Sequence, residues 1–208
     1  MFFTYFLKGI LIGILATLPL GPVGILIVQR TLNRDRLTGF YSGIGAALSD
    51  TFYASLAGFG MVLITGFLNK HEFWFHLGGA FVLLVLGVFI MLSHPERFAA
   101  QKIKKKKSPL KYIAGTFAIA FANPYIVFWH LAVFSGFGIV LSFDNLKEAL
   151  ATLFGFLSGD ILWWFLLTAL INLSRKWFNM KILLWFNRIA GTLIILFVIG
   201  FLVHIIRS

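Results

Sequence analysis

The sequence predicts an all-α integral membrane protein: six transmembrane helices in two inverted three-helix repeats, with helices 1 and 4 broken or kinked at proline. Three observations predict it. Of 208 residues, 60% are hydrophobic and only 12% charged, whereas a soluble domain averages about half apolar and a quarter charged. Six apolar windows reach the roughly 20 residues needed to cross about 30 Å of hydrocarbon. Of the 7 acidic residues, four fall between those windows and Glu148 stands at the very edge of the fifth, whereas Asp50 and Asp160 sit near the middle of two of them.

The windows cover about residues 3–28, 38–67, 73–92, 112–141, 148–172 and 182–206, which leaves nothing for a soluble domain. The chain therefore reads as a single transmembrane domain, with repeat 1 over about 1–93, a basic cytoplasmic loop over about 94–111 and repeat 2 over about 112–208. Met1 to Leu7 lacks the early positive charge of a signal peptide and its apolar run continues past Pro22, so it is read as a retained first span. That span contains Pro19-Leu20-Gly21-Pro22, and the fourth contains Asn123-Pro124. Proline removes a backbone donor and clashes with the preceding turn, so helices are expected to break there. In lipid the freed carbonyls need partners or water, which suits a protein-lined cavity where Asn123 and exposed carbonyls meet a substrate; a packing kink is the plainer alternative, above all at Pro124. The second span carries Gly39-x3-Gly43 and the fifth Gly155-x3-Gly159, pairs that let helices approach closely. Ordinary membrane packing explains them, and it turns the aspartate-bearing helices into the bundle.

The halves correspond. Gly45 and Gly155 precede the aspartates by five positions, Ser49 and Gly159 by one, and Tyr53 and Trp163 follow by three. Trp74-Phe75 and Trp185-Phe186 open the third and sixth spans, which carry Gly79 and Gly87, then Gly191 and Gly200. Three spans per unit means that the second unit enters from the opposite side, a design typical of secondary transporters with a midplane site.

The net charge of +11 follows topology rather than nucleic-acid binding. With the first connection cytoplasmic, its loops hold Arg30, Arg34, Arg36, Arg97, Lys102, Lys104 to Lys107, Lys111, Arg175, Lys176 and Lys181, against Lys8, Lys70, Lys147 and Arg207 outside. The positive-inside rule then places both termini outside, and the lysine run reads as a topology determinant before an anionic-lipid site. The absence of cysteine excludes disulfides, thiolate catalysis and cysteine metal sites. No His-Glu-x-x-His helix, Gly-Lys-Ser/Thr loop or Gly-x-Ser-x-Gly elbow occurs, so no enzyme, no cofactor and no bound metal is expected.

A carboxylate at bilayer depth costs about 3 kcal/mol on insertion scales and roughly 10 or more in simulations, which marks Asp50 and Asp160 as candidates for a substrate or proton pathway. His130 reads first as a bundle hydrogen bond and second as a proton relay. Gln29 and Arg30 read as the end of the first span, and Arg188 as a snorkelling cation.

Pro19-Leu20-Gly21-Pro22, then Gly39, Gly43, Gly45 and Asp50, then Asn123-Pro124, in this order, resemble the LysE/RhtB family of amino-acid exporters. The chain departs from it with Leu20 where many members have proline, Val23 and Gly24 where polar residues often follow, and Tyr125 where several carry a basic residue. The resemblance implies a multi-pass inner-membrane exporter of amino acids or similar small metabolites, driven by protons and acting as a homodimer. The expected mechanism is alternating access, with Asp50 and Asp160 exchanging protons for a substrate ammonium and with Pro19, Gly21, Pro22, Asn123 and Pro124 shaping the path. Export of a metal or inorganic cation, and a non-transporting membrane scaffold, are the rival readings.

Overall fold

A computed structural model describes residues 2–18, 21–70, 80–81, 84–85, 87–89, 91–92, 108–123, 125–174 and 180–207, and every regular element among them is helical. Helix α1 (Phe2–Thr17) gives way to α2 (Pro22–Asn33) at a bend of 84°. Pro22 opens α2, where a missing amide costs nothing, behind Gly21 in extended backbone. The Asp35 carboxylate accepts the Thr38 amide proton at 2.7 Å and so starts α3 (Arg36–Lys70), 35 residues long. Helices α4 (Pro109–Phe121) and α5 (Tyr125–Gly136) form the second bent pair, at 79°. Gly138, with a φ of +61°, turns the chain after α5, and the Leu141 amide ties that turn to the Gly58 carbonyl of α3. Helices α6 (Leu146–Leu173) and α7 (Met180–Arg207) complete the chain. Pro19, Pro124, Trp74-Phe75, Gly79 and Lys104 to Lys107 lie outside the described residues, as does most of the predicted third span.

By length and apolar character α6 is a membrane-span candidate by itself, and each bent pair makes a further candidate if it crosses as one broken helix. The distribution of side chains in α6 is inverted relative to a soluble helix. Gly155, Gly159, Asp160, Thr152 and Thr168 point inward, while Phe154, Leu162, Leu166, Leu170 and Leu173 are exposed, the last at 82%. Large apolar side chains outside and small or polar ones inside fit a lipid surround, where close packing rather than hydrophobic burial holds helices together. The inward hydroxyls satisfy themselves on their own helix: Thr152 on Glu148 O, Thr168 on Trp164 O, Thr17 on Gly13 O, each at 2.7 to 2.9 Å.

Helices α3 and α6 form the centre: α6 runs along α1, α3 runs along α4, and the two touch each other. Both seams depend on glycine. A Cβ on Gly155 or Gly159 would collide with the backbone of Phe6, Gly9 or Ile10 in α1, and one on Gly9 or Gly13 with the backbone of α6. The expected close approach at Gly39 and Gly43 takes a different form, because side chains face them, Thr31 and Trp164 respectively. In α3 the backbone contact is made by Gly45, against Ile113 and Phe117 of α4. Gly45 precedes Asp50 by the same interval as Gly155 precedes Asp160, so both seams pivot on corresponding glycines. Gly87 and Gly191 also meet, each near the other's carbonyl, where the helical residues of 80–92 cross α7.

Candidate functional site

The two helix breaks meet at one cavity of about 120 Å³. Its walls are Gly21 to Gly24 at the start of α2, Thr17 at the end of α1, Asn123 beside the second break, Trp129 and His130 of α5, Trp164 of α6 and Asp50 of α3. Typical drug-sized pockets run to about 300–1,000 Å³, so this space fits a small molecule and not a peptide.

Carbonyls freed at the breaks find donors from distant helices. The Trp129 indole N–H donates to Ala16 O at 2.8 Å, and the Tyr53 hydroxyl donates to Phe121 O at 2.6 Å. Each closes the end of a helix whose next turn is missing, as an apolar surround demands. Neither bond is visible in sequence, where its partners lie 113 and 68 residues apart.

Asp50 and Asp160 come together from the two central helices, α3 and α6, with Thr17 and Trp164 beside Asp160. Their positions differ. Asp50 is half-buried and lines the cavity, whereas Asp160 is fully buried behind it. Both Asp160 oxygens and the Trp164 indole N–H lack a hydrogen-bond partner, and the Thr17 hydroxyl is spent on Gly13 O. Among the described residues no cation acts on these two facing carboxylates, so their charge is uncompensated there. A proton or a cation can supply the compensation.

His130 is buried, with its ring 5.7 Å from that of Phe156. Its Nδ1 lies 2.8 Å from Ile126 O; a carbonyl only accepts, so Nδ1 carries the proton, and in the neutral ring that burial favours Nε2 is an acceptor. The bundle hydrogen bond expected of His130 is therefore present, and Nε2 is left without a partner in a residue that lines the cavity. Among the described residues no three His, Asp or Glu side chains gather closely enough to hold a metal ion.

Arg30 departs from the sequence reading. It is a bundle residue, donating to Ser42 Oγ at 2.8 Å and Thr116 Oγ1 at 2.5 Å, with its guanidinium 5.5 Å from the centre of the Tyr112 ring. It ties α2 to α3 and α4 and leaves the count of loop charges. Sequence reasoning also passed over Gly9-x3-Gly13, the partner of the Gly155 and Gly159 seam, although its spacing is the same as theirs. Trp129 and Trp164 gave no signal among so many aromatics.

A family profile described as "LysE type translocator" matches residues 14–204. The chain is 25% identical over 197 residues, 92% of each sequence, to a Bacillus subtilis (strain 168) protein named "Putative amino acid efflux protein YcgF". No solved structure matches it. The profile runs across both helix breaks and both aspartates, and the chain belongs to the LysE type translocators, helical membrane proteins that move solutes and are not enzymes.

Proposed function

We propose that this translocator exports amino acids or closely related small metabolites across the inner membrane, coupled to protons, by alternating access of two inverted halves. One observation carries the reading: Asp50 and Asp160 face each other beside a small cavity where two helices break. A substrate ammonium entering the cavity supplies the positive charge that a proton otherwise provides. Binding and proton release are then alternatives, and a proton gradient drives the exchange. One charge crossing 100 mV is worth about 2.3 kcal/mol, enough for a gradient of tens-fold.

Support for two related halves comes from the matched seams, α1 with α6 and α4 with α3, on the corresponding Gly155 and Gly45. The efflux named for the Bacillus relative supports the direction and substrate class. With Arg30 removed the basic residues still favour the first, third and fifth connections, so both termini are assigned outside six spans. A homodimer is the proposed assembly. Efflux of labelled amino acids from proteoliposomes with an imposed pH gradient tests the reading: transport that ignores the gradient, or that survives Asn at both aspartates, ends it.

A further inference from the structure

Resting on that export reading, we infer that the cavity recognises an α-amino acid zwitterion at both ends: Asp50 and His130 Nε2 hold the ammonium, and the first amides of α2 hold the carboxylate. The start of α2 is built as an open anion seat. Its N-cap is Gly21 and no side chain caps it, although Ser, Thr, Asp or Asn is the usual choice there. Pro22 has no amide, so Val23 and Gly24 supply the first-turn N–H groups, which have no acceptor within the helix, and both residues line the cavity. The helix dipole adds partial positive charge at the same point.

His130 supplies the independent observation. It is 2% exposed, its Nδ1 proton is committed to Ile126 O, and its Nε2 lies buried without a partner on the cavity wall. A bare Nε2 accepts and does not donate, so it repels a carboxylate and suits an N–H. An ammonium has three donors and no acceptor. Asp50 and His130 satisfy two of them and leave the third for water.

With about 120 Å³ available, donors at α2 and acceptors at Asp50 and His130 have to serve the same small molecule. An amine lacking the carboxylate leaves the α2 amides unpaired, and an N-acylated amino acid sets its anion near Asp50 with no ammonium to compensate. Losing a hydrogen bond to a charged group weakens binding by about tenfold to a hundredfold.

The experiment is counterflow into liposomes containing the full chain, with labelled alanine, leucine, threonine and lysine as probes. The probe with the greatest uptake is then competed against its decarboxylated amine and its N-acetyl derivative. Both analogues are expected to compete at least tenfold more weakly than the unlabelled amino acid. His130→Phe is expected to raise the half-saturating concentration about tenfold and to narrow the margin over the N-acetyl derivative, while His130→Gln, which keeps an acceptor, restores most of both. An amine that competes as well as the amino acid overturns the carboxylate seat, and an equally good N-acetyl derivative overturns the ammonium seat; in either case export stands. Counterflow by none of the four probes removes the export reading and this inference with it. If His130→Phe does not fold, the analogue competition decides alone.

Discussion

Replacing Gly155 or Gly159 with alanine tests the seam on which the site is mounted. A Cβ on Gly155 comes 3.0 Å from the carbonyl carbon of Phe6 and 3.1 Å from the Cα of Gly9, with the Phe6 oxygen nearer still. On Gly159 it comes 2.8 Å from the carbonyl carbon and 2.9 Å from the Cα of Ile10. All of these are backbone atoms, so no rotamer change relieves them, and α1 must retreat by about an ångström to restore a normal carbon contact. Overpacking of this kind costs about 1–3 kcal/mol, and a gap of that size forfeits about a quarter to a half of each neighbouring dispersion well. Alanine also favours a helix over glycine by about 1 kcal/mol, which offsets part of the loss. Gly115 gives the internal control, since a Cβ there meets nothing within 4 Å, and its alanine variant keeps the propensity gain alone. Because that propensity gain is common to all three variants, reversible unfolding in detergent is expected to place both seam variants about 1–3 kcal/mol below Gly115→Ala. Seam variants as stable as the control would refute the backbone contact, and with it the argument that α1 and α6 hold Asp160 in place by direct apposition.

Asp50→Asn and Asp160→Asn are each expected to abolish gradient-driven amino-acid efflux. Asp160→Asn is also expected to raise unfolding stability by about 1 kcal/mol or more, because it removes the buried member of two facing carboxylates, whose oxygens have no hydrogen-bond partner; a less stable, fully active variant contradicts both points. Trp129→Phe leaves Ala16 O without its donor, and Tyr53→Phe does the same to Phe121 O, for a loss of about 1–3 kcal/mol each in the same unfolding assay. Ser42→Ala with Thr116→Val strips the Arg30 guanidinium of two acceptors and is expected to lower stability by a similar amount, with the half-saturating substrate concentration unchanged, because none of the three lines the cavity. The chain has no cysteine, so single thiols report access directly. Ala46→Cys, one turn before Asp50, and Phe156→Cys, at the same place before Asp160, are expected to react with an impermeant thiol reagent from opposite faces of the membrane, and reaction from the same face refutes the inverted exchange.

Much of the site was legible because the membrane makes certain residues conspicuous. A carboxylate in an apolar window has no surface to occupy, so Asp50 and Asp160 stood out without any knowledge of their separation. Proline beside glycine or asparagine marks a break through backbone chemistry alone, and bends of 84° and 79° occur around those positions. Arg30 was counted with the loop charges because a cation in the last turn of a helix resembles an interfacial anchor; only Ser42 and Thr116, from two other helices, reveal its place. The exchange of Gly43 for Gly45 at the α3 seam has a similar cause. Spacing shows which glycines share a face, and not which of them meets a backbone and which the Trp164 ring.

The unequal settings of Asp50 and Asp160 bear on how the halves work together. Corresponding residues of two inverted halves occupy the same environment only if the halves adopt the same conformation. Here one aspartate lines the cavity and the other is sealed behind it, so within the inverted-repeat reading the halves differ in conformation. Under the proposed alternating access, exchanging those conformations would move Asp160 to a cavity wall on the opposite side and withdraw Asp50. The positive charge between the carboxylates is then met from one face in one state and from the other face in the next. A pair held between two rigid helices can serve this role without travelling far, provided that the broken helices move around it. The seams favour that division: glycine fixes α1 on α6 and α4 on α3 along their backbones, whereas α2 and α5 meet the central helices through side chains such as Ile25, Val28, Val133 and Phe134. Side-chain contacts slide more readily than interlocked backbones, so under the proposed mechanism α2 and α5 are the elements that would open and close the cavity, and α2 would carry the proposed anion seat with it.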